Sequence, residues 1–466
     1  MDYFYTNAYL RGNKIFLRGY SQTGKRFVDD IAYKPFLFVP GAGDYQTIYG
    51  EPLIKKDFDS IKAAREFIEL YNSSSNVDFY GSTNFTNVFL CEEFPNKVNY
   101  DPKLISIVSL DIEVSSKEGM PDIDLATQPV TAITLVRNKK TITFGTKAYT
   151  GKNSYCLCND EGEMLRSFLH MLNNDPYWMP DVITGWSVDL FDIPYLINRV
   201  RRVLGEDWVK KFSPYGQVYQ RNIIRAKSVQ YSKKEANDRT DIIYDLAGIA
   251  VLDYLQLYKK FSPVSQESYA LNNIAKVELG RGKHDFSDVG TLDDLFLLDF
   301  NRYIDYNVED AILVEEIEQK KKYLQIIFSI AYKAKINYID AMTTSRPWDA
   351  IIHNHLLKKN IAIPQPKEPP LRVDFIGGYV KEPQVGLHHW VVSFDFDALY
   401  PTILSQHNIS PETFEGKVDS FSVEWCLTHM NGPTHGEGTC TANGCLFRTD
   451  KKGFIPEIVD EYIQER

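Results

Sequence analysis

Asp111 and Glu113 stand two residues apart in the run SLDIEV, and the two-residue period of a strand puts both carboxylates on one face. The preceding residues of that face, Ile105 and Ile107, are apolar, so the acids come at the end of a buried strand. Asp192 follows Phe191 and precedes Pro194 at the mouth of a predicted helix, a position that also suits an N-cap. In Tyr306-Asn-Val-Glu-Asp310 the i,i+4 spacing stacks a phenol and a carboxylate on one helical face. Each motif alone is commonplace: acids at a strand end are usually just solvated, and an Asp before a helix is usually its cap. In combination they suit one reaction. Hydrolysis of a phosphodiester uses two divalent cations that clamp the attacking and leaving oxygens, held by carboxylates from several elements. Oxygen ligands of this kind favour Mg²⁺ or Mn²⁺. Asp111, Glu113, Asp192 and Asp310 would supply the charge, and Tyr306 could orient the attacking water.

The elements that must position these groups can be read from periodicity. Residues 1 to about 100 carry short β-rich runs such as KIFLRGY and KPFLFV, with one helix, DFDSIKAAREFIELYN, that has Ile61, Ala64, Phe67 and Ile68 on one face. From 101 to 322 strands alternate with helices, which predicts an α/β unit; LISIVSLDIEV is the strongest strand, and FDIPYLINRVRRVL and RYIDYNVEDAILVEEIEQKKK read as helices. A helical stretch to about Leu357 leads to a Pro-rich link, a strand (HWVVSFDFD) and an irregular Gly/Cys/His segment, and IPEIVDEYIQER opens an amphipathic helix. With 466 residues, three domains or so are expected, and a small binding module is excluded. At 44% hydrophobic and 24% charged, the chain reads as soluble and globular. Six scattered cysteines exclude a disulfide scaffold and fit a reducing compartment. Neither a signal peptide nor a membrane-length apolar run is seen, so the expected location is cytoplasmic, with no membrane partner.

The ordered set DIE, GWSVDLFDIPYLINR and YNVED resembles the three exonuclease motifs of family B DNA polymerases, in particular those of T-even-like bacteriophages. LDYLQLYKKF (252–261), WDAIIHN (348–354), FIGGYV (375–380) and SFDFDALYPTI (393–403) extend the resemblance over essentially the whole chain. It implies an α/β and α+β multidomain fold, with an RNase H-like exonuclease domain inserted in a β-rich N-terminal domain and followed by a partial palm. The expected boundaries are 1–100 with 323–366 for the N-terminal domain, 101–322 for the 3′–5′ exonuclease, 367–454 for the first part of the palm, and 455–466 for the start of a fingers helix. By the same resemblance Asp111, Glu113, Asp192 and Asp310 bind the two exonuclease metals and Tyr306 aligns the water. Asp395 would be a ligand of the polymerase metals, with the Phe396 carbonyl beside it. The backbone of Ala398 and Leu399 would cradle the triphosphate, and Tyr400 would exclude a 2′-hydroxyl. Departures from the family pattern are Ser187 for the usual Asn after Gly-Trp, and Ala398 and Thr402 for two serines.

The resemblance also implies what lies outside these residues. Neither the fingers signature nor the Asp-Thr-Asp-Ser turn of a complete family B polymerase occurs here, and two-metal nucleotidyl transfer needs that second carboxylate set. The expectation is an N-terminal subunit of a replicative polymerase from a divided gene. It would bind a 3′ single strand and primer-template DNA, and would need a C-terminal polypeptide with the remaining palm, fingers and thumb, and through it a sliding clamp. Two alternatives are a DNA-binding scaffold with weak exonuclease and a free-standing nuclease with a vestigial palm. The net charge of −10, from 52 Lys and Arg against 62 Asp and Glu, does not advertise nucleic acid. It conceals a strip from Arg199 to Lys260 with a net charge of +6, in which RNIIRAKSVQYSKKEANDR reads as a basic hairpin. Arg221, Arg225, Lys227, Lys233 and Lys234 there, with Gly377, Gly378 and Tyr379 of the GGY run, are the expected DNA contacts. Mg²⁺ is the expected cofactor, with Mn²⁺ as a substitute. The cluster Cys426, His429, His435, Cys440 and Cys445 matches no paired zinc spacing, and no zinc is expected.

Overall fold

The computed structural model describes residues 3–73, 78–117, 119–224, 240–286, 288–365, 380–418, 434–435 and 438–465. The chain is a mixed α/β protein that divides into two compact units, residues 1–32 with 92–347 and residues 33–91 with 348–466. The first unit opens with an antiparallel sheet of β1 (Tyr3–Arg11), β2 (Lys14–Ser21) and β3 (Arg26–Ala32). The second opens with β4 (Phe36–Thr47), β5 (Pro52–Asp57) and α1 (Ile61–Ser73), followed by α2 (Phe85–Glu93). Ile61 and Ala64 of α1 are buried, as the predicted face requires.

The main part of the first unit runs β6 (Ile107–Val114), β7 (Val130–Arg137), β8 (Lys140–Gly145), β9 (Tyr155–Leu157), α3 (Glu161–Asn174), β10 (Val182–Gly185), α4 (Asp192–Leu204) and α5 (Glu206–Val209). Then come a hairpin of β11 (Val218–Ile224) and β12 (Thr240–Leu246), β13 (Ala250–Asp253), and helices α6 (Tyr254–Phe261), α7 (Leu271–Leu279), α8 (Leu292–Leu298), α9 (Phe300–Lys321) and α10 (Tyr323–Ala334). Six strands form one mixed sheet in the order β13-β10-β6-β7-β8-β9, with β6 near its centre. Strict alternation along β6 decides what lies on each side. Val108, Leu110, Ile112 and Val114 join a core built with Met164, Leu165 and Phe168 of α3 and Leu196, Ile197 and Val200 of α4. Ser109, Asp111 and Glu113 face α9 instead; Ser109 Oγ donates to the Ala311 carbonyl across that gap, at 3.2 Å. Gly185 permits the close approach of β10 to β6, since a Cβ there would lie 2.4 Å from the Leu110 carbonyl oxygen.

In the second unit, α11 (Ser345–Leu357), β14 (Ile361–Ala362), α12 (Leu399–Gln406), β15 (Phe414–Lys417), β16 (Thr434–His435), β17 (Gly438–Cys440), β18 (Cys445–Phe447) and α13 (Phe454–Gln464) follow. β14 and β5 flank β4, and β15-β18-β17-β16 form a separate antiparallel sheet. The closing amphipathic helix is present as α13, which packs Phe454 and Ile458 against Leu356 of α11. The run HWVVSFDFD, expected as a strand, differs: it pairs with no described strand, and Trp390, Val391, Val392, Phe394 and Phe396 are exposed. A strand is stable only against neighbours, and none of the described strands lies beside it. Among the described residues no helix is long and apolar enough to cross a membrane.

Candidate metal and catalytic site

The alternation of β6 delivers Asp111 and Glu113 to the face of the sheet covered by α9, and the 3.6-residue period of α9 delivers Tyr306 and Asp310 to the same place. One ligand oxygen from each of Asp111, Glu113 and Asp310 lies within 4.8 Å of the others, with Glu113 and Asp310 buried and Asp111 half-buried. Asp192 enters from the other side of β6. It is the first residue of α4 rather than its cap; Phe191 is the cap position, and the Ile112 N–H donates to Asp192 Oδ1 at 3.0 Å. Pro194 sits in the first turn without loss, because the N–H groups there have no helical partner. A hydrogen bond to β6 therefore replaces the expected capping bond and ties the α4 N-terminus to the strand that carries the other acids.

Two residues that the sequence reading did not single out complete the site. Asn307 Nδ2 donates to Asp111 Oδ2 at 2.6 Å, while the Thr134 hydroxyl donates to Asn307 Oδ1. Lys283 Nζ lies 2.5 Å from Asp310 Oδ2 and donates to the Tyr306 phenol oxygen at 3.2 Å. Asn307 adjoins Tyr306 in the YNVED motif and could have been found there. Lys283 lies in ELGRGKHDF, which shows only a failed phosphate-loop spacing, and what places it is tertiary. The Lys283 N–H donates to Asn272 Oδ1 at 3.0 Å, and Gly282 lets the chain come so close that a Cβ would lie 2.2 Å from that oxygen.

Burial, and after it the neighbouring carboxylates, raise the Asp111 carboxyl well above its ordinary range. Burial, then Asp310, pushes Glu113 up to about 8. Asp192 is pushed to about 7 by burial, against the lowering pull of the Ile112 N–H. Asp310 is raised by burial in spite of Lys283. Lys283 itself is raised, since the pull of Asp310 and Tyr306 outweighs the effect of its burial. Burial, then Asp310, pushes the Tyr306 phenol to about 12. Four acids thus share a site with one lysine, and Asp310 Oδ1 is buried with no hydrogen-bond partner among the described residues. Such a donor set fits a hard divalent cation, which would supply the missing positive charge and the missing partner.

Arg221, on β11, is half-exposed and paired with Asp245 at 3.0 Å. Arg225, Lys227, Lys233, Lys234, Gly377, Gly378 and Tyr379 lie outside the described residues, as do Cys426 and His429. Asp395, Phe396 and Tyr400 are exposed in the second unit. Ala398, in left-handed conformation (φ 50°), is the cap position of α12, and Leu399 is its first residue. Backbone N–H groups at such a helix start suit an anion.

Residues 72–274 match the exonuclease domain of DNA polymerase family B, and residues 337–466 match DNA polymerase family B itself. The DNA-directed DNA polymerase of Escherichia phage RB69 is 30% identical over the whole of this chain, and that of Enterobacteria phage T4 is 28% identical. The chain spans about half the length of these relatives, 53% and 54%. A DNA polymerase delta catalytic subunit from Dictyostelium discoideum is 25% identical over 62% of this chain and 25% of its own length.

Proposed function

Because the chain belongs to DNA polymerase family B, we propose that it is the N-terminal part of a replicative DNA-directed DNA polymerase and removes nucleotides from the 3′ end of DNA by itself. The observation that carries this reading is the convergence of Asp111, Glu113 and Asp310 within 4.8 Å, beside Tyr306 and Lys283. Two Mg²⁺ ions, or Mn²⁺ in their place, would offset the charge of the carboxylates and clamp the attacking and leaving oxygens of the phosphodiester. The side chains Asp111, Glu113, Asp192 and Asp310 would hold them. Tyr306 keeps its proton at neutral pH and its oxygen accepts from Lys283; its O–H would align the attacking water. Lys283 and Asn307 are positioning residues, for Asp310 and Asp111 respectively.

In this reading 101–322 is an RNase H-like exonuclease domain inserted between 1–100 and 323–366; its six-stranded sheet and covering helices lie within 107–321. Residues 367–454 begin a palm, with Asp395 its first metal ligand and Phe396, Ala398, Leu399 and Tyr400 on the nucleotide, and 455–466 begin the fingers. Arg221, Arg225, Lys227, Lys233 and Lys234, with Gly377, Gly378 and Tyr379, would contact DNA. Polymerisation would need a second carboxylate set beside Asp395, which these residues do not contain, and its setting would be the cytoplasm of a phage-infected bacterium. Purified protein should degrade single-stranded DNA from its 3′ end with Mg²⁺ and stop on chelation; Asp111→Ala with Glu113→Ala should abolish the activity. Loss of nucleotides from the 5′ end would reject the polarity. A folded protein that shows no degradation but restores primer extension to a complementary chain would instead be a scaffold.

A further inference from the structure

A cavity of about 470 Å³ adjoins the carboxylate site in the first unit, a size that suits a small organic molecule. Ser115, two residues beyond Glu113, lines it, and so does Thr131, whose hydroxyl donates to the Glu113 carbonyl at 3.0 Å. The acids of the cavity are already engaged. Asp160 caps α3 by accepting from the Glu163 N–H at 2.7 Å, and Glu161 pairs with Arg199 at 2.7 Å while accepting from the Val130 N–H at 2.8 Å. Its cations are not. Lys117 is exposed, and among the described residues no carboxylate lies within ion-pair distance of it. Lys147 donates to the carbonyl of Phe296, which forms the apolar wall, at 2.9 Å, and sits 3.7 Å from the centre of that ring. Burial, and after it the Lys117 charge, holds Lys147 below its ordinary value, so two ammonium groups repel each other beside that wall. Gln128 presents the opposite need. It is 6% exposed, its Nε2 donates to the Gly119 carbonyl at 3.0 Å, and its Oε1 is buried with no partner among the described residues. A buried acceptor left without a donor is costly and marks a missing partner.

We infer that this cavity binds a deoxynucleoside 5′-monophosphate outside the metal site, with its phosphate at Lys117 and Lys147 and its 3′-hydroxyl donating to Gln128 Oε1. The proposal rests on the reading of this chain as a 3′–5′ exonuclease, which releases such a molecule beside Glu113. The ligand must carry an anion for the two lysines and a donor for the buried amide. Inorganic phosphate carries both but would leave most of the 470 Å³ unfilled. Removal of a 3′-terminal nucleotide leaves a 5′-phosphate and a 3′-hydroxyl on one small molecule, and all four nucleotides share that pair of groups. Phe296 then offers its side chain to the sugar or base, whichever base it is, and the site holds the product clear of the carboxylates.

The test is equilibrium dialysis of radiolabelled dAMP and dTMP against the full chain carrying Asp111→Ala and Glu113→Ala, in EDTA, so that the metal site contributes nothing. One nucleotide should bind per chain, dAMP and dTMP alike. Lys117→Glu, a change at an exposed position, should weaken binding roughly tenfold with the melting temperature unchanged. On the chain with Gln128 intact, 2′,3′-dideoxyadenosine 5′-monophosphate should bind about fivefold more weakly than dAMP, and on Gln128→Met the two should bind equally. Should Gln128→Met fail to fold, the comparison of the two nucleotides on the intact chain still decides. Absence of binding overturns the proposal, as does equal affinity for the dideoxynucleotide. Displacement of dAMP by an equal concentration of inorganic phosphate, or tighter binding of a 5′-phosphorylated oligonucleotide at the same place, overturns it too. Degradation of DNA by the parent chain without nucleotide binding would sink the cavity site and spare the exonuclease; binding without degradation would do the reverse.

Discussion

Glu113 and Asp192, raised to about 8 and about 7, make the cation-free site a proton store. A carboxyl whose folded pKa lies above its unfolded value binds a proton in the folded state that the unfolded chain has already released. Stability of the cation-free protein therefore falls as pH climbs from about 4 towards about 8. A cation must displace those protons below that range and need not above it. Mg²⁺ should accordingly raise the melting temperature little at about pH 5 and by several degrees at about pH 8.5, with proton release visible by calorimetry in buffers of different ionisation enthalpy. An equal gain at both pH values would show that the carboxyls are ionised without metal. Asp310→Asn should remove most of the gain. Ser187 makes a separate prediction. Its φ of 65° is left-handed, a conformation that Asn or Gly adopts at less cost. Ser187→Asn should raise the urea midpoint, by roughly 0.5–1 kcal/mol in stability; no change would mean the turn is not strained. The convergence of Asp111 and Glu113 with Asp310 was legible because strand and helix periods are fixed by backbone geometry. Lys283 was not, because its place depends on Gly282 and Asn272, which no local period connects to Asp310.

The corner between α9 and α10 depends on one carboxylate. Lys322, left-handed at φ 59°, ends the first helix and precedes the second, and Glu318 reaches across to accept the Leu324 N–H at 3.1 Å and the Tyr254 phenol at 2.9 Å. Burial pushes Glu318 up to about 7, against those hydrogen bonds. Below its unfolded value near 4 the group makes no difference between the states; from there to about 7 the folded state keeps a proton and loses stability as pH rises. Glu318→Gln retains an acceptor without the charge. It should match the parent protein at about pH 5 and exceed it by about 1–2 kcal/mol at about pH 8.5. A variant less stable at both pH values would mean that the charge itself, as a helix cap, outweighs its burial. At this scale the sequence was a good guide where an element contains its own reason to form. The alternation of β6 and the amphipathic α1, α9 and α13 are of that kind. HWVVSFDFD is not: its composition is that of a strand, but pairing is a property of two strands, and the described residues supply only one of them.

At the scale of the molecule, the first unit is discontinuous, and its separate pieces are joined through a buried acid. Asp181, just before β10, accepts from Tyr20 OH at 2.7 Å, Thr6 Oγ1 at 3.3 Å and the Ser106 N–H at 2.8 Å. Arg18 and Arg26 lie 3.4 and 3.1 Å from it, and Arg18 donates onward to the carbonyls of Gly248 and Pro180, both at 2.9 Å. Arg18 and Asp181 are fully buried, so neither charge is solvated when the other is removed. A fragment of residues 92–347 would retain Asp111, Glu113, Asp192 and Asp310 and lose Thr6, Arg18, Tyr20 and Arg26. Asp181 would keep only the Ser106 N–H of these partners and would meet water where the N-terminal sheet had covered it. The effect of one substitution separates the network from a loss of packing alone. In the full chain Asp181→Asn strips two arginines of their partner and should destabilise by several kcal/mol, to the order of 3. In the fragment, where neither arginine is present, the same change strands no charge and should have little effect. If Asp181→Asn lowers the denaturant midpoint in both, the network is not what holds the N-terminal sheet to the rest of the unit, and packing of Phe4, Tyr5 and Tyr332 must do so instead.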